Sequence, residues 1–532
     1  MKPFSRLIAA FTVVGLGLTS IPVTHAGSAT WNLNPTSNDW KTAANWTPAT
    51  VPNSATDTAT FGNSSITSVN LLNFTTVAEI VFAVGADAFT LNGGAYTTSV
   101  VGAGVTNDSG ITQTLTLGVG GNFNIQNEAA VASTTIVNNG GLIFFWDATT
   151  ASNSVFTNSG GATDFTDNAS AGEATITNNG GETTFTEFAT AANSTITSNG
   201  ATSPEARAGS TTFLNTSNAG TATLIANGGS NGGSGALIFF GVNGSGSPTA
   251  ASSTLIANGD LPGEAGGIIQ FDDTSDGGTA RVEVFGNGNL DISSHAAPGM
   301  SIGSIEGSGA VFLGANKLTV GANNLSTVLS GVIQDGGMGG GSFGSLTKTG
   351  KGKLTLSNAN TYTGGTTVIK GTLLVTNRRG SATGTGTVRV NAGTLGGTGR
   401  ISGDVIIVPS LTVATLAPGI GARIGKLTLS AMLSFYPRAN YKVDLNSTSS
   451  TADQVTAKGV LILSNATITI DDQGNGTLPA GTVFTLINNT AAPGITGTFS
   501  NLADGSTLVL GSNTYKASYE GGDGNDLTLT VQ

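Results

Sequence analysis

Cysteine is absent from all 532 residues, which excludes disulfides, thiol catalysis and thiolate metal sites together. Histidine is almost as scarce. Of the two present, His25 falls in a leader expected to be removed, which leaves His295, in Ser293-Ser-His-Ala-Ala-Pro298, as the sole imidazole. A Ser-His-Asp triad would have to use that loop residue as its base, and zinc, which needs several close donors, finds too few. Charged residues make up only 10% of the chain and aromatic residues 6%, so the surface is not that of an ordinary enzyme. The formal net charge of -11 becomes -13 once Lys2 and Arg6 leave, and reads as thinly spread. No basic stripe is visible along the chain, so nucleic acid is not an expected partner. Long apolar runs are missing as well. The longest, Leu7 to Leu18, is short of the roughly 20 residues that cross a bilayer.

That run follows a basic start and precedes small residues, with a plausible cut after Ala26. It reads as a secretory signal peptide, after which no membrane span is expected. What the chain has in abundance is glycine, 79 residues, set among Thr, Ser, Asn and Ala. Such a composition could be disordered. Apolar residues nevertheless make up 38% and are evenly spaced, as a long thin core of short strands requires.

The spacing is clearest from Thr134 to Gly200, where one phrase recurs: Ile136-Val-Asn-Asn-Gly-Gly141, Phe156-Thr-Asn-Ser-Gly-Gly161, Ile176-Thr-Asn-Asn-Gly-Gly181 and Ile196-Thr-Ser-Asn-Gly-Ala201. Ile136, Phe156, Ile176 and Ile196 are each 20 residues apart, and a second column holds Ile125, Phe145, Phe165 and Phe185. A unit this short cannot enclose a core, so it must bury its apolar column against its neighbours. Alternation of period two, interrupted by Asn and Gly that tolerate positive φ, predicts strands joined by tight turns. The fold class is therefore all-β, and the unit is one coil of a parallel β-helix. With about 20 to 25 residues per coil, the mature chain would form a rod on the order of 100 Å long.

Around this block the chain divides into a signal peptide at 1–26, a cap at 27–65, a β-helix with repeats of about 20 to 31 residues at 66–300, and a second repeat region at 301–532. The cap holds three of the four tryptophans, Trp31, Trp40 and Trp46. They are read as a plug for the open end of the core, with an aromatic carbohydrate platform as the alternative. Beyond Gly200 the coils lengthen, and small polar insertions such as Ser230 to Gly235 are expected to protrude at turns.

From Leu346 to Leu373 the chain reads Leu-Thr-Lys-Thr-Gly-Lys-Gly-Lys-Leu-Thr-Leu, then Asn360-Thr-Tyr-Thr-Gly-Gly-Thr366, then Gly371-Thr-Leu373. This stretch resembles the autotransporter-associated β-strand repeat proteins. A looser likeness continues through Leu416-Ala-Pro-Gly419, Asp453-Gln-Val455 and Tyr519 to Leu529, and the Trp-rich start looks like the entry of such proteins. The resemblance implies a pertactin-like, right-handed parallel β-helical passenger, secreted or held at the outer cell surface, with a structural or adhesive role. No series of girdled membrane strands follows, so the expectation is a passenger without a C-terminal β-barrel, exported by a general pathway. Its partners are unknown from sequence; cell-surface glycans and other envelope components fit the implied setting.

An enzymatic alternative exists, because parallel β-helices also carry polysaccharide lyases and hydrolases, an analogy of fold only. Asp164, Asp167, Glu182 and Glu187 fall on adjacent coils, while Asp272, Asp273 and Asp276 cluster with Arg281 nearby. A carboxylate pair could serve such chemistry. Each of these residues occupies an outward or turn position where polarity alone suffices, so no catalytic residue is assigned. Gly521-Gly-Asp-Gly-Asn-Asp526 is close to a calcium-binding nonapeptide, but it has Thr528 where an apolar residue belongs and lacks a tandem copy. It is read as a last turn, and no metal site or cofactor is expected.

Overall fold

Alternation along each short strand dictates which side chains meet. The computed structural model describes residues 27–241, 246–259, 263–410 and 412–532; the expected signal peptide and His25 lie outside them. In Thr134–Asn138 the residues Ile136 and Asn138 are buried, while Thr135 and Val137 face out. Gly140 then turns the chain at φ 90°, in the left-handed region open to glycine. A Cβ on Gly141 would come within 2.7 Å of the Gly121 carbonyl oxygen, which explains the second glycine of the phrase. The next strand, Leu142–Phe145, directs Ile143 and Phe145 inward. A thinner third side closes the coil through single parallel bridges, Thr150 to Ser170, Ser170 to Thr190 and Thr190 to Asn218, beside the buried Ala151, Ala171 and Ala191.

The 20-residue spacing is the length of one coil. Ile136 lies beside Phe156, Phe156 beside Ile176 and Ile176 beside Ile196, all in parallel register. On the other face Phe145, Phe165, Phe185, Phe213, Phe240 and Phe271 form a buried column. Their ring centroids are separated by 4.6, 4.9, 4.8, 4.8 and 4.6 Å, and consecutive rings are tilted by no more than 14°. The backbone spacing of about 4.8 Å between neighbouring strands sets this stacking distance. Insertions after Gly200 lengthen the coil without shifting the column, since Phe185 still pairs with Phe213.

The asparagine of the repeated phrase has a different role from the one expected. Asn138, Asn158 and Asn178 do not adopt positive φ; they are buried and form a ladder, Nδ2 of each donating to the next at 3.3, 2.9 and, onto Ser198 Oγ, 3.2 Å. The same amides also reach backbone carbonyls at the start of the next strand, such as Gly141 O at 3.0 Å and Ser210 O at 2.8 Å. A buried amide is tolerable because its donors are satisfied.

Two sheets run along the rod, and the second stacks eighteen strands in parallel succession from Ser68–Asn70 to Thr467–Asp472. At about 4.8 Å per step this sheet alone spans roughly 80 Å, with further strands at both ends of the rod. From Gly299–Ile302 onward the third side is a true sheet of eight strands, ending at Val460–Ile462. The final strands depart from the helical pattern. Thr507–Leu510, Asn513–Gly521 and Asp526–Val531 pair antiparallel on Val483–Asn489, so the last edge folds back on itself. The opposite end is closed by the tryptophans described below. Among the described residues there is no α-helix, and no helix is long and apolar enough to cross a membrane.

Candidate functional site

The Trp cluster is the first candidate, and it is not a binding platform. Trp31, Trp40 and Trp46 are buried and pack edge-on, Trp40 and Trp46 with centroids 4.8 Å apart, against Phe61. Their indole N–H groups donate to the carbonyls of Ile66, Pro52 and Trp40 at 3.0, 2.9 and 2.8 Å. No ring face and no donor is left for a sugar. The cluster closes the core.

The carboxylates from 164 to 187 separate into two kinds. Asp167 and Glu187 sit at equivalent turn positions, with Asp147, at φ 55°, 54° and 57°. There they hold the neighbouring coil: Asp167 Oδ2 accepts the Asp147 N–H at 3.2 Å, and Glu187 Oε1 accepts from Asn215 Nδ2 at 3.1 Å. Glu182 pairs with Arg207 at 2.7 Å. Asp164 takes the outward-alternating strand position expected of it but is less solvated than polarity alone would require. It is half-buried in the middle of Ala162–Phe165, and burial, reinforced by the Glu182 charge, pushes its carboxyl up to about 6.

Beside Asp164 lies a pair of aromatic rings that sequence reasoning missed. Phe144 is its register partner on the preceding coil, and Phe144 and Trp146 lie 5.6 Å apart at a 35° tilt. Trp146 is 39% exposed and Phe188, one coil beyond Asp164, is 63% exposed. The signal was present in Leu142-Ile-Phe-Phe145: if Phe145 points in, Phe144 must point out. This face offers flat apolar surface next to a half-buried carboxyl, an arrangement able to contact a ligand, with the neighbouring carboxylate Glu182 tied to Arg207.

Around residue 272 the structure brings Asp273, Asp291 and His295 within electrostatic range of Asp272, and burial, reinforced by the Asp273 and Asp291 charges, pushes the Asp272 carboxyl up, but each group is engaged by the local fold. Asp272 accepts from Gln270 Nε2 at 2.9 Å, Asp273 occupies a turn at φ 52°, and Asp276 accepts the Gly278 N–H at 3.1 Å and Thr249 Oγ1 at 3.4 Å. Arg281 belongs to the second long sheet, where it pairs with Glu306 at 2.6 Å and Glu283 at 3.0 Å. His295 has both ring nitrogens 2.7 Å from carbonyl oxygens, those of Ala296 and Ser275, so neither faces a serine hydroxyl. Gly521 and Asp526 close a hairpin in antiparallel register, and Asp526 Oδ1 accepts the Asn489 N–H at 2.9 Å.

Charge is not thinly spread, contrary to the sequence expectation. Residues 27–306 hold three cations against 21 carboxylates, whereas residues 307–443 hold 13 lysines and arginines against only Asp335 and Asp404. The sparse overall charge therefore conceals an acidic stretch followed by a basic band. Lys348, within that band, is buried and aims its Nζ at the carbonyls of Thr349, Gly350 and Lys370.

Residues 346–375, which include Lys348, match the passenger-associated-transport-repeat family. In the fold they are the strands Ser345–Lys348, Lys353–Leu356, Thr366–Val368 and Thr372–Val375, where the third side and the second long sheet advance together. Over 95 residues, 18% of the chain, the sequence is 37% identical to the adhesin BmaC autotransporter of Brucella suis biovar 1 (strain 1330). That segment is 2% of the length of the Brucella protein. The crystal structure of the Haemophilus influenzae Hap adhesin aligns over 90% of this chain and 64% of its own, at 13% identity and a TM-score of 0.26. The chain is thus a parallel β-helix that carries a match to the passenger-associated-transport-repeat at 346–375.

Proposed function

We propose that this chain is a non-enzymatic β-helical protein of the cell surface or the secreted fraction, with a structural or adhesive role. The observation that carries the proposal is the passenger transport repeat, set as ordinary coils within a continuous stack. A protein named as an adhesin shares a related segment. The carboxylates considered for catalysis are for the most part engaged in joining coil to coil or in ion pairs, which supports display over turnover. The division into a repeat region at 66–300 and a transport-repeat region at 301–532 belongs to the same reading, both regions presenting surface along one continuous stack.

The test has two arms. Particles coated with the purified chain should adhere to cells, and incubation with neutral and acidic polysaccharides should release no new reducing ends or unsaturated products. Release of product, abolished by Asp164→Asn, would establish the enzymatic alternative. Small-angle scattering should report an elongated particle with a long axis on the order of 100 Å, and a globular profile would contradict the rod.

A further inference from the structure

The basic band from 307 to 443 is more than the fold requires. Its 13 cations and two carboxylates give a net charge of +11, inside a chain whose formal total is -11. Eleven of the cations, from Lys317 to Arg438, have exposed side chains. None of the eleven makes an ion pair with a described residue; the pairs that form involve Arg207, Arg281 and Lys442. Carboxylates are not scarce in the chain, since 29 of its 31 lie outside the band. A rod does not fold back to bring them there.

The arrangement within the band is ordered by the coils. Lys353 pairs in register with Thr372, so Lys351 and Lys370, each two residues earlier, occupy equivalent positions at one corner of consecutive coils. Neighbouring coils lie about 4.8 Å apart, and like charges placed side by side on adjacent strands cost stability. Arg389 follows on the next coil, opposite Thr367. Beside this corner, the outer face of the third-side sheet forms a groove of about 530 Å³ lined by Lys317, Phe343, Thr347, Thr367 and Arg389. Lys317 and Arg389 lie three coils apart, roughly 14 Å along the rod. Threonine hydroxyls occupy the positions between them.

We propose that this face binds an anionic polysaccharide along the rod, with Lys317, Lys351, Lys370 and Arg389 meeting its carboxylates or sulfates and the threonine hydroxyls meeting its ring hydroxyls. A polyanion relieves the repulsion between successive coils, and a periodic cation array gains from one chain that contacts several coils at once. The chemistry favours a glycan over nucleic acid. Single strands are held by stacking on aromatic platforms, and a duplex groove admits a helix or ribbon rather than a broad sheet face. Exposed rings in the band are the isolated Phe343 and Tyr436. The proposal rests on the surface-display reading only for where such a glycan is met.

The experiment is binding of the full chain to immobilised heparin, polygalacturonate and neutral dextran, with anionic phosphatidylglycerol vesicles and duplex DNA as further arms. Heparin and polygalacturonate should bind and dextran should not, with affinity falling at least about tenfold between about 50 and about 300 mM salt. The triple variant Lys351→Gln, Lys370→Gln, Arg389→Gln should lose at least about tenfold at unchanged circular dichroism and melting temperature. A control triple, Lys41→Gln, Lys458→Gln, Lys516→Gln, should lose little. No binding to either acidic polysaccharide at low salt overturns the proposal, as does equal loss in the control triple or tighter binding to vesicles or DNA. If the triple variant loses polysaccharide but coated particles still adhere to cells through another ligand, the adhesive reading stands without this site. If adherence is absent while polysaccharide binding remains, it is the adhesive reading that falls.

Discussion

At the scale of single residues, the phenylalanine column and Lys348 show two ways in which a coil is held to its neighbours. Phe185 is buried between Phe165 and Phe213, with centroids 4.9 and 4.8 Å away. Phe185→Ala removes a ring from a close-packed stack that cannot collapse without shifting two coils, so a loss of about 3–5 kcal/mol is expected in urea unfolding. Lys348 acts through polar contacts. Its ammonium satisfies carbonyls at the corner of the transport repeat, and Lys348→Met leaves them unpaired at a cost of about 1–3 kcal/mol. Burial pushes the Lys348 amine down to about 8. The folded state therefore binds fewer protons at this group than the unfolded state above that pH, and stability rises with pH there. The wild type should gain on Lys348→Met between about pH 8 and about pH 10, the ordinary lysine range. A melting-temperature difference that stays flat across that window would show that the amine is not desolvated.

At the scale of elements, the coil is the unit that can be removed. Val155 and Thr175 are register partners, so deleting residues 155–174 joins Ser154 to Thr175 with every column intact. The shortened chain should fold and melt within a few degrees of the parent. Deleting only 157–166 breaks the Phe column and should give an aggregated product. This modularity was readable in the sequence, because repeats of fixed length with one apolar column per strand can bury those columns only by stacking coil on coil. The polar interior was less readable. Asn138, Asn158 and Asn178 look like turn residues beside glycine, and only the parity of the preceding strand, with Ile136 inward, places them in a buried ladder. The same parity argument identifies Phe144 as outward beside Phe145, so Phe144 and Trp146 could have been found. Asp164, twenty residues after Phe144 and next to the inward Phe165, follows from the same parity and period, whereas the pairing of Arg281 with Glu306 depends on loop lengths after Gly200 that do not appear in local pattern.

At the scale of the whole molecule, stability in a stack is carried by neighbours and cannot be shared across the full length as it is in a globular core. The Phe column ends at Phe271, whereas the C-terminal coils hold Phe435, Tyr441 and Phe499 packed 5.2 to 6.0 Å apart around a separate centre. No ring of the first group touches one of the second. Damage at Phe185 should therefore spread over adjoining coils and fade before the antiparallel end. Native-state hydrogen exchange of Phe185→Ala tests this directly. Amides of Thr175–Asn179, Glu182–Phe185 and Ser210–Phe213 should lose protection by about the full measured destabilisation, while those of Asp526–Val531 should exchange as in the parent. An even loss of protection from one end to the other would mean that the rod unfolds as a single cooperative body, and the nearest-neighbour account of its stability would have to be abandoned.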